Sequence, residues 1–373
     1  MSWGLCEKNQ TCITTDNAAN VIKAAELNEW MRLQCFGHRL HLAIENSVKN
    51  EPRVRRATGL CKELVGHFSH SWKKKSKLTD AQKELKLPEH SLVTECQTRW
   101  GSRQRMVDRV LEQSKALTQV LSDDRKTRHL VPTWQDIEVL ESINSALKPL
   151  QEFTDILSCE EYVSVSYLKP VLYLLKNTTL AAKEEDTDLT KTIKSKIIAY
   201  LEKNYNDPET QELLDVASLV DPRFKKDYIS PENVTRIEDR VRVEMEEIAR
   251  TEKRPHVSDT GATEKKGLRS VGSLFTKQTP SAAVRVEAVI DAELNSYLMA
   301  PVITGESDPL AWWKIHTVNF PILSRLARKY LCVPATSSPS ERLFSASGNI
   351  VTCERACLKP EMVDMLVFLA KKL

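Results

Sequence analysis

Cys35, His38 and His41 lie together in the stretch RLQCFGHRLHLAI, and thiol and imidazole are both metal-ligating groups. On a helix entered just after Cys35, His38 and His41 share one face. That spacing invites a zinc reading. A structural zinc site takes four ligands, usually from two paired clusters, and no second cluster follows at a fitting distance. The competing reading is a buried cysteine beside a histidine that hydrogen-bonds local backbone. It is the one expected here, with no bound metal. A second group is cationic: Trp72-Lys73-Lys74-Lys75, followed by Lys77. Such a run can contact phosphates, serve as a weak nuclear localisation signal, or simply be a solvated helix face. Two carboxylates have capping chemistry. Asp16 directly follows the β-branched run CITT, where it can cap the next helix. Ser338-Pro339-Ser340-Glu341 fits a capping box, in which the glutamate turns back to its own backbone.

The elements that must position these groups are mostly helical. Residues 11–15 suit a strand, 18–28 a helix capped by Asp16, and 31–36 a second strand, a unit of roughly βαβ type. From His38 the period changes. Leu40, Ala43, Ile44, Ser47 and Val48 follow helical spacing, and helical patterns continue over 134–157, 166–176, 190–203 and 233–250. Residues 251–285, rich in Gly, Ser, Thr, Lys and Pro, read as a disordered linker. Helical spacing resumes over 283–299. Three helices are expected in 308–373, at 320–331, from Pro339 and from Pro360. A lone strand needs a partner, so the absence of a strand before residue 11 reads as a chain truncated at its front.

Composition narrows the class. The chain has 373 residues, enough for more than one core-forming unit. Aromatics at 6% and 10 glycines disfavour an all-β sandwich. The net charge of +3 leaves any nucleic-acid role to local patches. The nine cysteines are scattered and odd in number, which reads as reduced thiols of the cytosol or nucleus. There is no signal-peptide pattern and no run of about 18 apolar residues, so no membrane partner is expected.

A series of segments, in order, resembles the hAT transposases and the BED zinc-finger proteins derived from them. These are TDNAANVIKA, RLQCFGHRLHLAI, TECQTRWGS, LKPLQEFTDILS, SLVDPRFKK, the block from DPLAWWKIHTVNFPIL through SSPSERLFSASGNIV, and LKPEMVDMLVFL. The resemblance covers nearly the whole chain from residue 11, and its most specific part runs from Trp312-Trp313 to SERLFS. It implies a fold of class α/β plus α: a ribonuclease-H-like core, incomplete here, interrupted by a large helical insertion and completed by a C-terminal dimerisation region. The corresponding division is 1–37 partial core, 38–250 helical insertion, 251–285 linker and 286–373 dimerisation region.

The family implies two-metal phosphoryl chemistry on two aspartates and a glutamate, with Mg²⁺ as cofactor were the centre complete. Asp16 matches the second aspartate and Glu341 the glutamate. The strand carrying the first aspartate is missing, so both are expected to be vestigial and the chain not to be an enzyme. The BED finger's cysteine and histidine pairs are likewise not among these residues. Trp100 matches a tryptophan that sits near DNA in the family. With Arg99 and Arg103 beside it, it can stack on an unpaired base. A core or interface tryptophan is the equal alternative. The DNA-contact candidates are therefore Trp100, Arg99, Lys73, Lys74 and Lys75. In the C-terminal region, Trp312, Trp313, Phe320, Leu323, Leu326, Tyr330, Leu343, Phe344, Leu366, Phe368 and Leu369 exceed what three short helices need for each other. A leftover apolar stripe would bury itself against a second copy. Trp312, Trp313, Leu323, Leu326, Phe344, Leu366 and Leu369 are the dimerisation candidates. A nuclear, homodimeric protein in a DNA-associated or regulatory setting follows as the expectation. The alternative is a DNA-cutting transposase represented by an incomplete chain.

Overall fold

The computed structural model describes residues 11–96, 100–158, 163–252, 282–351 and 358–372. The expected linker, 251–285, lies mostly outside the described residues. The chain divides into two compact units.

The sheet unit comprises Ile13–Ser164, Pro170–Asp207 and Ala335–Leu373. Its strands β1 (Ile13–Thr15) and β2 (Arg32–Gln34) pair in parallel, with Ile13 opposite Arg32 and Thr15 opposite Gln34. Parallel neighbours need a crossover, which α1 (Ala19–Leu27) supplies. Glu29 ends that crossover at φ 53°, and Trp30 N–H reaches back to the Ala25 carbonyl at 2.9 Å. This is a Schellman cap with a non-glycine residue in the left-handed position. The second strand is shorter than expected. Cys35 is already the residue before α2 (Phe36–Val48), whose inward face is Phe36, Leu40, Ala43, Ile44 and Ser47. There follow α3 (Pro52–Ser69), α4 (Trp72–Glu84), α5 (Trp100–Glu112), α6 (Ser114–Ser122), α7 (Trp134–Leu147), α8 (Leu150–Leu157), α9 (Leu168–Leu174) and α10 (Asp188–Tyr205). α7 packs on α3, α5 and α10, and α10 packs on α2. Thr133 and Asp136 close a capping box at the start of α7. Buried Tyr205 ties α10 to the strands by donating to the Gln34 carbonyl at 2.9 Å.

The helical unit comprises Val165–Lys169 and Pro208–Pro334, together with residues 11–12. The helical run expected as one block over 38–250 is therefore split between two units. Here lie α11 (Pro208–Leu219), α12 (Pro231–Glu252), α13 (Ala282–Met299), α14 (Pro309–His316) and α15 (Leu323–Leu331). α14 replaces what the sequence reading left without an element. The segment SLVDPRFKK is the unit's inner corner. Asp221 and Arg223 form a buried ion pair at 2.6 Å. Arg223 also donates to Tyr167 Oη at 2.7 Å. Lys225, at φ 47°, donates through Nζ to the Tyr297 and Ala300 carbonyls and so caps the end of α13. Glu293 accepts the Ile322 and Leu323 amides at 2.9 and 2.7 Å, capping α15 from a different helix.

The aromatic pair expected at a dimer surface is core here. Trp313 stacks on Tyr297 at 5.2 Å and donates to the Val220 carbonyl at 3.0 Å. Trp312 stacks on His316 and Phe320, and Leu323 and Leu326 have no exposed surface. Trp313, Leu323 and Leu326 are sealed inside the unit, and Trp312 is half-buried in the same cluster. As candidates for contact with a second copy these four are corrected to intramolecular packing. Trp313→Ala should accordingly cost about 3–5 kcal/mol of stability, as large-to-small core changes do. Urea unfolding followed by circular dichroism would show it. A Trp313→Ala protein as stable as the parent would contradict this placement.

The chain returns to the sheet unit for α16 (Ser338–Ile350) and α17 (Pro360–Lys372), which pack on each other.

Candidate functional site

Asp16 follows β1 at the carboxyl-terminal edge of the two strands, and the sheet unit brings the segment leading to Glu341 to the same edge. Cys35 N–H donates to the Thr15 carbonyl at 2.8 Å, and Phe36 N–H to the Ala335 carbonyl at 3.0 Å. Ser337 N–H donates to buried Cys35 Sγ at 3.2 Å. Ala335–Ser337 thus runs along the end of β2 and launches α16 there, with Glu341 in its first turn. Asp16 follows β1 at the same edge.

Each carboxylate is engaged locally. Asp16 Oδ1 accepts from Ala18 N–H at 3.1 Å. Ala18, not Asp16, is the residue that precedes α1, so the cap expected at Asp16 is a turn two residues earlier. Ser337, rather than Ser338, precedes α16, and its hydroxyl donates to Glu341 Oε1 at 2.7 Å. Ser337 makes no side-chain cap to the helix backbone, so the expected capping box does not form. The charge nearest Asp16 is positive. Arg32 donates to the Asp16 carbonyl at 3.2 Å, and Arg39 donates to Asn17 Oδ1 at 3.0 Å. Burial and then the neighbouring Arg39 pull the Arg32 guanidinium below its ordinary pKa, against the pull of Asp16. Among the described residues, no three of His, Cys, Asp and Glu gather as a metal site. Cys35 is a hydrogen-bond acceptor, and the His38 and His41 rings stand 6.4 Å apart.

The DNA-contact candidates separate. Trp100 opens α5 and is only 5% exposed, so its ring packs inward rather than standing out for a base. Arg103 is held by Glu45 and Glu95, each at 2.6 Å, and Glu95 also meets Lys62 at 2.8 Å. Burial alone would raise the Glu95 carboxyl, but its hydrogen bonds from Lys62 and Arg103 hold it below the ordinary range. Arg99 lies outside the described residues. Lys73 and Lys75 are solvent-facing on α4, beside Trp72 at 80% exposure, while Lys74 Nζ sits 3.2 Å from His67 Nδ1. Sequence reasoning missed a second exposed tryptophan, Trp134. It lines a recess of about 500 Å³ with Arg53, Arg56 and Asp136.

The C-terminal candidates also separate. No residue of α16 is buried. Phe344 is 74% exposed and Phe368 61%, with Met362, Met365 and Leu369 also open, and Leu366 half-buried. Met362, Met365 and Leu369 recur at i, i+3 and i+7, one stripe of a helix. The sequence reading did not single out Ile315 and Val318, which are equally open on α14 and just beyond it.

Comparison with known proteins gives these positions a context. Residues 293–373 match the family model described as the hAT family C-terminal dimerisation region. Residues 33–146 match the ZBED1 RNase-like helical domain. The chain is 26% identical to human zinc finger BED domain-containing protein 4 over 380 residues, which is 99% of this chain and 31% of that protein. It is 23% identical to mouse zinc finger BED domain-containing protein 6, over 97% of this chain and 40% of that protein. It is also 23% identical to a putative AC transposase of Zea mays, over 72% of this chain and 35% of that protein. The chain spans about a third of the length of the first of these relatives.

His41 gives the sheet unit a pH signature. Burial lowers its pKa, Glu45 opposes this, and His38 and Arg103 add to the lowering. The unfolded chain therefore takes up a proton there before the folded one does. Stability from this group is complete above the ordinary imidazole pKa of about 6.5 and falls as pH drops below it. Urea midpoints measured from about pH 7 to about pH 5.5 should fall, and His41→Gln should flatten that slope. An unchanged slope in His41→Gln would remove the assignment.

Proposed function

We propose that this chain, a relative of the hAT transposases and the BED zinc-finger proteins, acts by self-association through α16 and α17 rather than by cutting DNA. One observation carries the reading. Two helices of the matched dimerisation region bury none of the residues of α16 and leave Phe344, Met365, Phe368 and Leu369 in water. Apolar stripes of that kind mark protein contact sites. A second copy is the occupant, with isologous pairing as the simplest closed arrangement.

The reading against catalysis is supported by what surrounds Asp16 and Glu341. A metal pair needs free carboxylate oxygens in a shared pocket. Here Asp16 serves a turn with Arg32 on its backbone carbonyl, and Glu341 accepts a hydroxyl from its own helix start. The β1–α1–β2 unit, with Ala335–Ser337 along its edge, is compatible with a ribonuclease-H-like core in which that edge is now structural. A nuclear, DNA-associated setting accords with the kinds of protein the chain resembles.

Light scattering at micromolar concentration should give the dimer mass for the parent protein and the monomer mass for Phe368→Asp, with circular dichroism unchanged. A parent monomer, or a Phe368→Asp protein that still pairs, would overturn the proposal. Nicking of hairpin DNA by this chain with Mg²⁺ would overturn the non-catalytic half.

A second reading rests on α4. Exposed Lys73 and Lys75 next to exposed Trp72 suit phosphate contact with aromatic stacking. Each phosphate neutralised adds about 0.9 to the slope of log affinity against log salt. Replacing both lysines by alanine should lower that slope by about 2 for duplex DNA. An unaltered slope would discard α4 as a DNA surface.

A further inference from the structure

One stripe of α7 is left unused by the packing of the sheet unit. Trp134, Glu138, Glu141 and Ser145 recur at i, i+4, i+7 and i+11, a single line along the helix, and all four are exposed. Trp134 is 74% exposed, and no ring or cation rests on it. It walls the recess of about 500 Å³ that buried Val139 and Leu189 also line. A second recess of about 250 Å³ shares Glu138, Ser142 and Thr187 with the first, so the two adjoin as one groove along α7 and the start of α10. The charge in this groove is uneven. Its cations are already matched: Arg53 with Glu51 at 3.0 Å, Arg56 with Asp136 at 3.3 Å, Lys183 with Glu185 at 4.0 Å and Lys194 with Asp186 at 2.6 Å. Among the described residues, the side chains of Glu138, Glu141 and Asp188 have no ion-pair partner.

We infer that this groove docks an extended, arginine-bearing segment of a partner protein. Three features select that occupant. Charge comes first. Unpaired carboxylates repel phosphate and attract cations, so the groove is complementary to a basic peptide and not to a nucleic acid. The aromatic wall comes second. A guanidinium is planar, stacks on an indole face and grips a carboxylate through two parallel hydrogen bonds, whereas an ammonium is a compact, strongly hydrated point charge. An open tryptophan one helical turn from a free glutamate therefore favours arginine over lysine. Spacing comes third. Trp134 and Glu138 are separated by about 6 Å along the helix axis, at about 1.5 Å per residue. Alternate residues of an extended chain are about 6.6 Å apart. Arginines at alternate positions thus place one guanidinium on Trp134 and the next against Glu138, with Glu141 further along the same line. The site lies wholly within the sheet unit and does not depend on pairing of α16 and α17.

Fluorescence anisotropy on the full chain tests this with labelled peptides that carry arginine, lysine or glutamate at alternate positions in a serine background. The arginine peptide should bind saturably and more tightly than the lysine peptide, and the glutamate peptide should not bind. Trp134→Ala should weaken the arginine peptide by about 2- to 5-fold, the size of an exposed cation–π contact. Trp134→Phe, which keeps an aromatic face, should recover part of that loss. Reversing the charge with Glu138→Arg and Glu141→Arg together should weaken binding by about tenfold or more. All three positions are exposed, so circular dichroism should match the parent in every variant. A parent that ignores the arginine peptide, or binds the lysine peptide equally well, overturns the proposal. So does unaltered affinity in Trp134→Ala or in the charge-reversed protein. A labelled single-stranded oligonucleotide that binds the parent more tightly than it binds Trp134→Ala would assign the groove to nucleic acid and overturn it as well.

Discussion

Two backbone amides hold the root of the C-terminal hairpin to the sheet. Phe36 N–H donates to Ala335, and Ser337 N–H donates to Cys35 Sγ. Residues about 300 positions apart are joined at one corner. Further anchors surround it: Ala335 N–H to Ser164 Oγ at 2.9 Å, and Arg342 to the Ser158 carbonyl at 2.7 Å. Beyond Arg342, α16 and α17 lean mainly on each other. That arrangement explains why the same segment has a fixed start and an open face. The root is specified by hydrogen bonds to a buried strand end. The distal part has apolar side chains without a core to enter, which is the condition under which a second copy becomes the natural partner.

Elsewhere, polar groups are used to specify packing. The Asp221–Arg223 pair is fully buried, and such pairs define geometry more than they add stability. Arg223 lies 4.3 Å from the centre of the Tyr167 ring, so the corner made by the SLVDPRFKK segment is satisfied by both charge and aromatic contact. Glu293 shows the cost of this economy. Burial raises its pKa, while the amides of Leu323 and Ile322 hold it down. Around Asp16, Arg32 donates to the backbone carbonyl and Arg39 to Asn17 Oδ1, while the Asp16 carboxylate accepts the Ala18 amide.

Much of this organisation was legible in the sequence. The change from β-branched residues to a 3.6-residue period located β1 and α2, and Pro339 and Pro360 marked the starts of α16 and α17. Caps were misplaced, by two residues at Asp16 and by one at Ser338, because a side chain bonded in a neighbouring turn has the same spacing signal as a cap. Glu29, Lys86 and Lys225 occupy left-handed backbone without being glycine, and no residue signal announces that. The larger difference concerns α14 and α15. Apolar composition gives the amount of surface to be buried, but not whether the burial is within the chain or between chains. Trp312, His316 and Phe320 stack on one another, while Ile315 and Val318 remain exposed, a division that apolar composition does not give. For Trp100 the sequence left two readings even, and the ring packs inward. A tryptophan between arginines fits a base-stacking site and equally fits a helix start with Arg103 clamped by Glu45 and Glu95.

Hydrogen exchange at two protein concentrations tests the central claim most directly. If α16 and α17 are covered by a second copy, amides across Ser338–Ile350 and Pro360–Lys372 gain protection as the concentration rises from about 0.5 to about 50 µM, while α2 and α10 stay constant. Equal exchange of both hairpin helices at the two concentrations would contradict the account.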